Sequence, residues 1–143
     1  MRLYFAYGAN INKNNMKTRC PNAVFIGKAV IKDKRFILNQ FGVATVIDAP
    51  GSTVYGVLWN LSVKDEENLD IFEGVDYGLY YKDLISAEIE SDRKENVLIY
   101  RATNEVESKK AKLSNYLNQI LLWGKFHLFP KAYIDEIKGF SES

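Results

Sequence analysis

Two short stretches carry residue types that could do chemistry together. Tyr7-Gly8-Ala9-Asn10 follows the apolar run Leu3 to Ala6 and opens into a polar loop, Asn10-Ile11-Asn12-Lys13-Asn14. A strand that breaks at a glycine into such a loop presents backbone N–H groups that can hold an anion. Glu73-Gly74-Val75 places a carboxylate beside the glycine that ends a helical pattern. A glutamate held near the loop could move protons on whatever binds there. The pair reads as a small acyl-transfer site that uses neither a metal nor a cysteine nucleophile.

Glu73 is in an unfavourable place for a structural acid. A carboxylate at a helix C-terminus faces partial negative charge, a cost of a few tenths of a kcal/mol. Asp65, Glu66 and Glu67 sit in the first half of the same helix, where the dipole favours them. Burial and the dipole both push the pKa of Glu73 upward, toward the range useful for proton shuttling near neutral pH. Tyr77-Gly78-Leu79-Tyr80-Tyr81 enters the following strand. Alternation puts Tyr80 and Tyr81 on opposite faces, and the inward one needs a partner for its hydroxyl.

The inventory excludes other chemistries. His127 is the single histidine, so histidine-based metal clusters and a Ser-His-Asp triad lack their parts. Cys20, the single cysteine, stands before Pro21 without a nucleophile's context and cannot form an internal disulfide. There is no glycine-rich phosphate loop. The expectation is no cofactor and no metal.

The elements that must position these residues follow from pattern. Leu3 to Tyr7 reads as a short buried strand, and Asn12 to Arg19 as a short helix ended before Pro21. Ala23 to Ile31 and Arg35 to Asn39 read as strands joined through Lys32-Asp33-Lys34. Val43 to Ile47 and Val54 to Leu61 read as strands separated by a turn at Pro50-Gly51-Ser52. Ser62 starts a helix, with Asp65 in the capping-box position, Leu69 and Phe72 on its apolar side and Gly74 as its stop. Tyr80 to Ile89 and Val97 to Ala102 are strands. Lys109 to Trp123 reads as the longest helix, with Leu113, Leu117, Ile120 and Leu121 at helical spacing. A last short helix runs from Pro130 to Lys138. Strands with helices inserted between and after them, lacking regular alternation, predict an α+β fold with a strongly curved, barrel-like mixed sheet.

Bulk properties agree with one ordinary domain over residues 1–143. Apolar residues are 47%, enough for a core. Nineteen Lys and Arg against eighteen Asp and Glu, interspersed, argue against a general nucleic-acid or membrane-surface binder. The N-terminal apolar run is too short for a signal peptide, and no stretch approaches the roughly 20 apolar residues of a membrane span. The expectation is a cytoplasmic protein. Its nine Tyr, eight Phe and two Trp fit a β-rich core.

An ordered set of segments resembles the γ-glutamylcyclotransferase family, which includes the plant AIG2-like and butirosin-pathway proteins. The segments are Leu3-Tyr4-Phe5-Ala6-Tyr7-Gly8-Ala9-Asn10, Gly42-Val43-Ala44-Thr45-Val46, Pro50-Gly51, and Val54-Tyr55-Gly56-Val57-Leu58-Trp59. They continue with Leu69-Asp70-Ile71-Phe72-Glu73-Gly74-Val75, Gly78-Leu79-Tyr80, Tyr100-Arg101-Ala102-Thr103-Asn104 and the helix holding Tyr116. The resemblance implies a mixed barrel with flanking helices and an enzyme releasing 5-oxoproline from a γ-glutamyl amino acid or peptide. It places Glu73 on the catalytic glutamate and Gly8, Ala9, Asn10 and Ile11, beside Tyr7, on the loop that holds the γ-glutamyl head. Tyr80 and Tyr116 fall on positions lining the pocket. Ala9 stands where the family's usual residue is serine, and Trp123 to Pro130 lacks the usual glycine-rich approach to the last helix. The implied partner is a small γ-glutamyl molecule, with no nucleic acid and no membrane, and the chain a monomer or homodimer. Two other functions fit the same residues: a cyclotransferase for γ-glutamyl-amines such as γ-glutamyl-lysine compounds, and a non-catalytic binding or interaction module.

Overall fold

Two long strands form the frame of the computed structural model, which describes residues 1–111 and 115–140. β2 (Val24–Asn39) follows β1 (Arg2–Ala6) and pairs antiparallel with β3 (Ala44–Leu61) along nearly its whole length. β1 pairs antiparallel with β3, and parallel with β5 (Asp92–Ala102) through Tyr4 and Leu98. β5 pairs antiparallel with β4 (Tyr80–Ile89), and β4 meets β2 at Glu88 and Val30. The order β3-β1-β5-β4-β2 thus returns to β3, and the mixed sheet curls onto itself. β6 (Glu107–Ser108) adds to β2 at Leu38 and Asn39. Phe5, Leu38, Val46, Leu58 and Leu98 carry the core. Each fully buried side chain of this size is worth about 1.5–3 kcal/mol.

The two expected breaks at Lys32-Asp33-Lys34 and Pro50-Gly51-Ser52 do not divide the strands. Lys32 pairs with Thr53 and Lys34 with Asp48, so the breaks face each other inside one ribbon. Asp33 (φ 60°) and Gly51 (φ 86°) both take left-handed backbone, and the Gly51 N–H donates to Asp33 Oδ1 at 2.9 Å. Turn-forming residues set opposite each other in an already paired ribbon make a bulge that bends it. At Gly56, β3 passes so close to β1 that a Cβ would sit 2.2 Å from the Ala6 carbonyl oxygen.

Helices cover the ends of this frame. Asn12 caps α1 (Lys13–Arg19), its Oδ1 accepting from the Asn14 N–H at 2.8 Å. Ser62 and Asp65 form the expected capping box of α2 (Val63–Phe72), and Gly74 (φ 64°) ends it. Leu69 packs inward from α2, whereas Phe72 remains half exposed. The longest helix, α3 (Tyr116–Phe126), begins later than the expected Lys109. Arg35 holds Glu107 at 2.9 Å and draws the preceding segment into the sheet as β6. Leu113 lies outside the described residues. α4 (Lys131–Lys138) closes the described chain against the core through Tyr133, Ile134 and Ile137. No helix among the described residues is long and apolar enough to cross a membrane.

Candidate functional site

A cavity of about 560 Å³ opens where the turn after β1, the C-terminal end of α2 and the start of α3 meet. The turn is built to point its amides outward. Ala9–Ile11 form one 3-10 turn, closed by the Ile11 N–H donating to Gly8 O at 3.2 Å. Three side chains hold the carbonyls of this turn, Asn15 Nδ2 donating to Ala9 O at 2.9 Å among them. Trp59 Nε1 donates to Asn10 O at 3.1 Å, and His127 Nε2 lies 2.7 Å from Ile11 O. A carbonyl only accepts, so His127 carries its proton on Nε2. Burial holds the imidazole below its usual pKa, against the Ile11 contact. The first N–H groups of such a turn have no internal partner. Those of Ala9 and Asn10 find no acceptor among the described residues, and both residues line the cavity. Gly8 lies in the same wall, where a Cβ would approach Ala44 Cβ to 3.2 Å.

Ile11 does not join them. Its side chain is in the core, its N–H is committed to Gly8, and it lies outside the cavity wall. Tyr7 lines the cavity with its hydroxyl donating to Tyr100 O at 2.6 Å. Tyr80 and Tyr116 grip one residue of β3, Ala44, through the two peptide groups that flank it. Tyr80 donates to Ala44 O at 2.7 Å, and Tyr116 accepts from the Ala44 N–H at 3.0 Å. Tyr81 points the other way and is exposed.

Glu73 is the C-cap of α2, fixed by its N–H donating to Leu69 O at 2.8 Å. Its carboxylate lines the cavity and, among the described residues, has no donor within hydrogen-bond reach. Burial pushes its pKa up to about 7, with Arg19 pulling in the opposite direction. Glu73 is therefore poised to take and return a proton near neutrality.

Arg19 is a cavity residue that sequence reasoning missed. Its guanidinium lies 3.6 Å from the centre of the Phe72 ring, and Nη1 donates to Asn10 Oδ1 at 2.5 Å. In the sequence it reads only as a base in the last turn of a short helix. Tyr4 and Tyr100 also line the cavity, and their alternation in strands signals no more than burial. Cys20 is buried, its thiol 3.6 Å from Asp65 O and its pKa pushed up to about 12 by burial. With His127 engaged at Ile11, the two form no dyad. Among the described residues no group of three or more His, Cys, Asp or Glu is placed to hold a metal ion.

The chain is similar to known proteins in sequence and in fold. A family profile described as "Gamma-glutamyl cyclotransferase, AIG2-like" matches residues 4–118. The chain is 28% identical to a gamma-glutamylcyclotransferase of Mus musculus, over 96% of this chain and 77% of that protein. It is 30% identical to one of Bos taurus, over 71% of this chain and 60% of that protein. A solved structure titled "Gamma-glutamyl cyclotransferase" superposes with a TM-score of 0.87 at 24% identity, covering 99% of this chain and 89% of that one. That likeness extends to the fold.

Proposed function

This chain belongs to the gamma-glutamyl cyclotransferase, AIG2-like family, and from that premise we propose that it releases 5-oxoproline from a γ-glutamyl amino acid or peptide. The carboxylate of Glu73, with no hydrogen-bond donor among the described residues and a pKa pushed up to about 7 by burial, shares a cavity wall with the outward amides of Ala9 and Asn10, and this carries the reading. Glu73 takes a proton from the substrate's α-ammonium, and the freed amine closes on the γ-carbonyl carbon. Protonated Glu73 then gives that proton to the leaving nitrogen as the C–N bond breaks. The ring nitrogen sheds one further proton and the released amine gains one, through the same carboxylate. No water is consumed and no second acid is required.

The Ala9 and Asn10 amides supply donors for the head's α-carboxylate, and Tyr116 a hydroxyl proton. Because the attack is intramolecular, folding the substrate chain is the main task, and orientation of this kind can be worth about 7–11 kcal/mol. Arg19, a cation in the wall, favours substrates whose leaving group carries a carboxylate over simple γ-glutamyl-amines. The test is 5-oxoproline release, by mass spectrometry, from a panel of γ-glutamyl amino acids and γ-glutamyl-amines. Release from the amino-acid members is expected, and no release from any member rejects the reaction.

A further inference from the structure

Five tyrosines line the cavity, and their hydroxyl protons have different fates. Those of Tyr7, Tyr80 and Tyr100 are committed to Tyr100 O, Ala44 O and Asp70 Oδ1, at 2.6, 2.7 and 2.6 Å. Among the described residues, Tyr116 and Tyr4 only accept. Tyr4 accepts from Asn10 Nδ2 at 3.1 Å and makes no other hydrogen bond among the described residues.

The direction of this bond is fixed by chemistry. A guanidinium has donors and no acceptor. Arg19 Nη1 therefore faces the amide oxygen of Asn10, at 2.5 Å, and the amide nitrogen must face Tyr4. An amide nitrogen donates, so the phenol oxygen accepts and its proton is left over. The result is a one-way chain from Arg19 through Asn10 to Tyr4, with a positive charge at its start. Each donated bond strengthens the next donor in such a chain. Tyr4 is 4% exposed and packs edge-on against Tyr100, so it is nearly closed off from bulk water. Burial, and then the facing charge of Glu73, hold the phenol far above its usual pKa, so it remains a donor. It makes no hydrogen bond with Glu73, and the two residues line the same cavity.

We propose that Tyr4 is a second catalytic residue, whose hydroxyl donates to the γ-carbonyl oxygen as negative charge develops there, with Asn10 and Arg19 as its positioning residues. This rests on the cyclotransferase reading above. Glu73 handles the nitrogens on either side of the γ-carbon, and Tyr4 handles its oxygen. A donor that acts on developing charge lowers the barrier more than it tightens binding.

The test compares Tyr4→Phe with the wild type on one γ-glutamyl amino acid that the wild type turns over. The expected result is a kcat lower by about 10²-fold, as for loss of one oxyanion donor, with KM nearly unchanged. The limb of the pH profile set by Glu73 should stay where it is, because no charge is removed; a general distortion of the site would move it. In Asn10→Asp the new carboxylate still holds Arg19 but accepts Tyr4's proton, turning it from the substrate. Measured above that limb, this variant should lose kcat to a similar extent, with little added loss in the Tyr4→Phe background. It also decides the matter if Tyr4→Phe fails to fold. An unchanged kcat overturns the proposal. A raised KM with kcat intact moves Tyr4 to the substrate carboxylate and overturns it as well, as does a kcat loss confined to Tyr116→Phe. Absence of release by the wild type removes the reaction itself, and is thereby distinct from a failure of Tyr4 alone.

Discussion

The two ends of α2 hold the same functional group in opposite circumstances. Asp65, in the first turn, is 0% exposed, and its carboxylate accepts from the N–H groups of Ser62 at 3.2 Å and Asn22 at 3.3 Å. The helix dipole favours a negative charge there. Glu73, at the other end, is only half-buried, faces a cavity, and accepts no hydrogen bond among the described residues. The dipole works against its charge. Burial does not by itself mark a working carboxylate, since the more deeply buried of the two is a cap. What separates them is whether the protein supplies the donors or leaves them to a ligand.

The largest expected effect breaks the Glu73 end. Glu73→Gln keeps the shape and removes the exchangeable proton, so turnover should fall at least about 10²-fold. More than a tenth of the wild-type rate would reject the proton-shuttle role. In the wild type, kcat/KM should rise with pH through about 7 as the free base forms. Stability should move oppositely. The folded pKa of about 7 lies above the ordinary 4.5, so the folded state binds this proton more tightly than the unfolded chain. The stabilisation is full below about pH 4.5 and lost as pH rises through about 7. Above that, Glu73→Gln should be more stable than the wild type by about 1–3 kcal/mol, read from denaturant midpoints. An inactive variant that is also less stable at pH 8 would mean the carboxylate has partners in the fold.

At the other end the sign reverses. Asp65→Ala leaves the Ser62 and Asn22 amides without their acceptor, and should cost about 2–3 kcal/mol. The kcat of the folded fraction should stay within about threefold of wild type, because Leu69 and the Gly74 stop still fix the end that carries Glu73. A thermal melt with active-site titration separates the two. A kcat loss as large as that of Glu73→Gln, with an unchanged melt, would erase the distinction between the two ends.

How much of this was legible beforehand depends on how local each signal is. Both ends of α2 could be read because a capping box and a left-handed glycine act within one turn of helix. Glu73 stood out because it sits at the wrong end of the dipole. The outward amides of the Gly8 turn were legible as loop chemistry, but Ile11 was not separable from them: closure of the 3-10 turn takes its N–H and puts its side chain in the core. Lys32-Asp33-Lys34 and Pro50-Gly51-Ser52 have turn composition, yet they become a bulge because each already has a paired strand opposite. Arg19, Tyr4 and Tyr100 could not be read as a site. Tyr4 meets the cavity through the β1–β5 pairing at Leu98, and Arg19 through its contacts with Asn10 and Phe72. No spacing along the chain encodes those meetings.

The smallest expected effect sharpens the comparison from the facing loop. Ala9 lines the cavity at the position where serine is usual in the family, and its N–H has no acceptor among the described residues. Its carbonyl is held by the Asn12 N–H at 3.2 Å and by Asn15 Nδ2 at 2.9 Å, so the peptide plane is fixed without any side chain. If ligand donors come from the backbone here, a restored hydroxyl adds one neutral hydrogen bond at most, about 0.5–1.5 kcal/mol. Ala9→Ser should therefore change kcat/KM by less than about threefold, with the Glu73 limb of the pH profile in place. A gain beyond about tenfold, more than one neutral hydrogen bond nets, would show that the loop acts through a hydroxyl this chain lacks. The free amides would then no longer be the counterpart of the free carboxylate. The difference between the two ends of α2 would remain, but the cavity's donors would have to be sought on side chains such as Tyr4, Tyr116, Arg19 and Gln119.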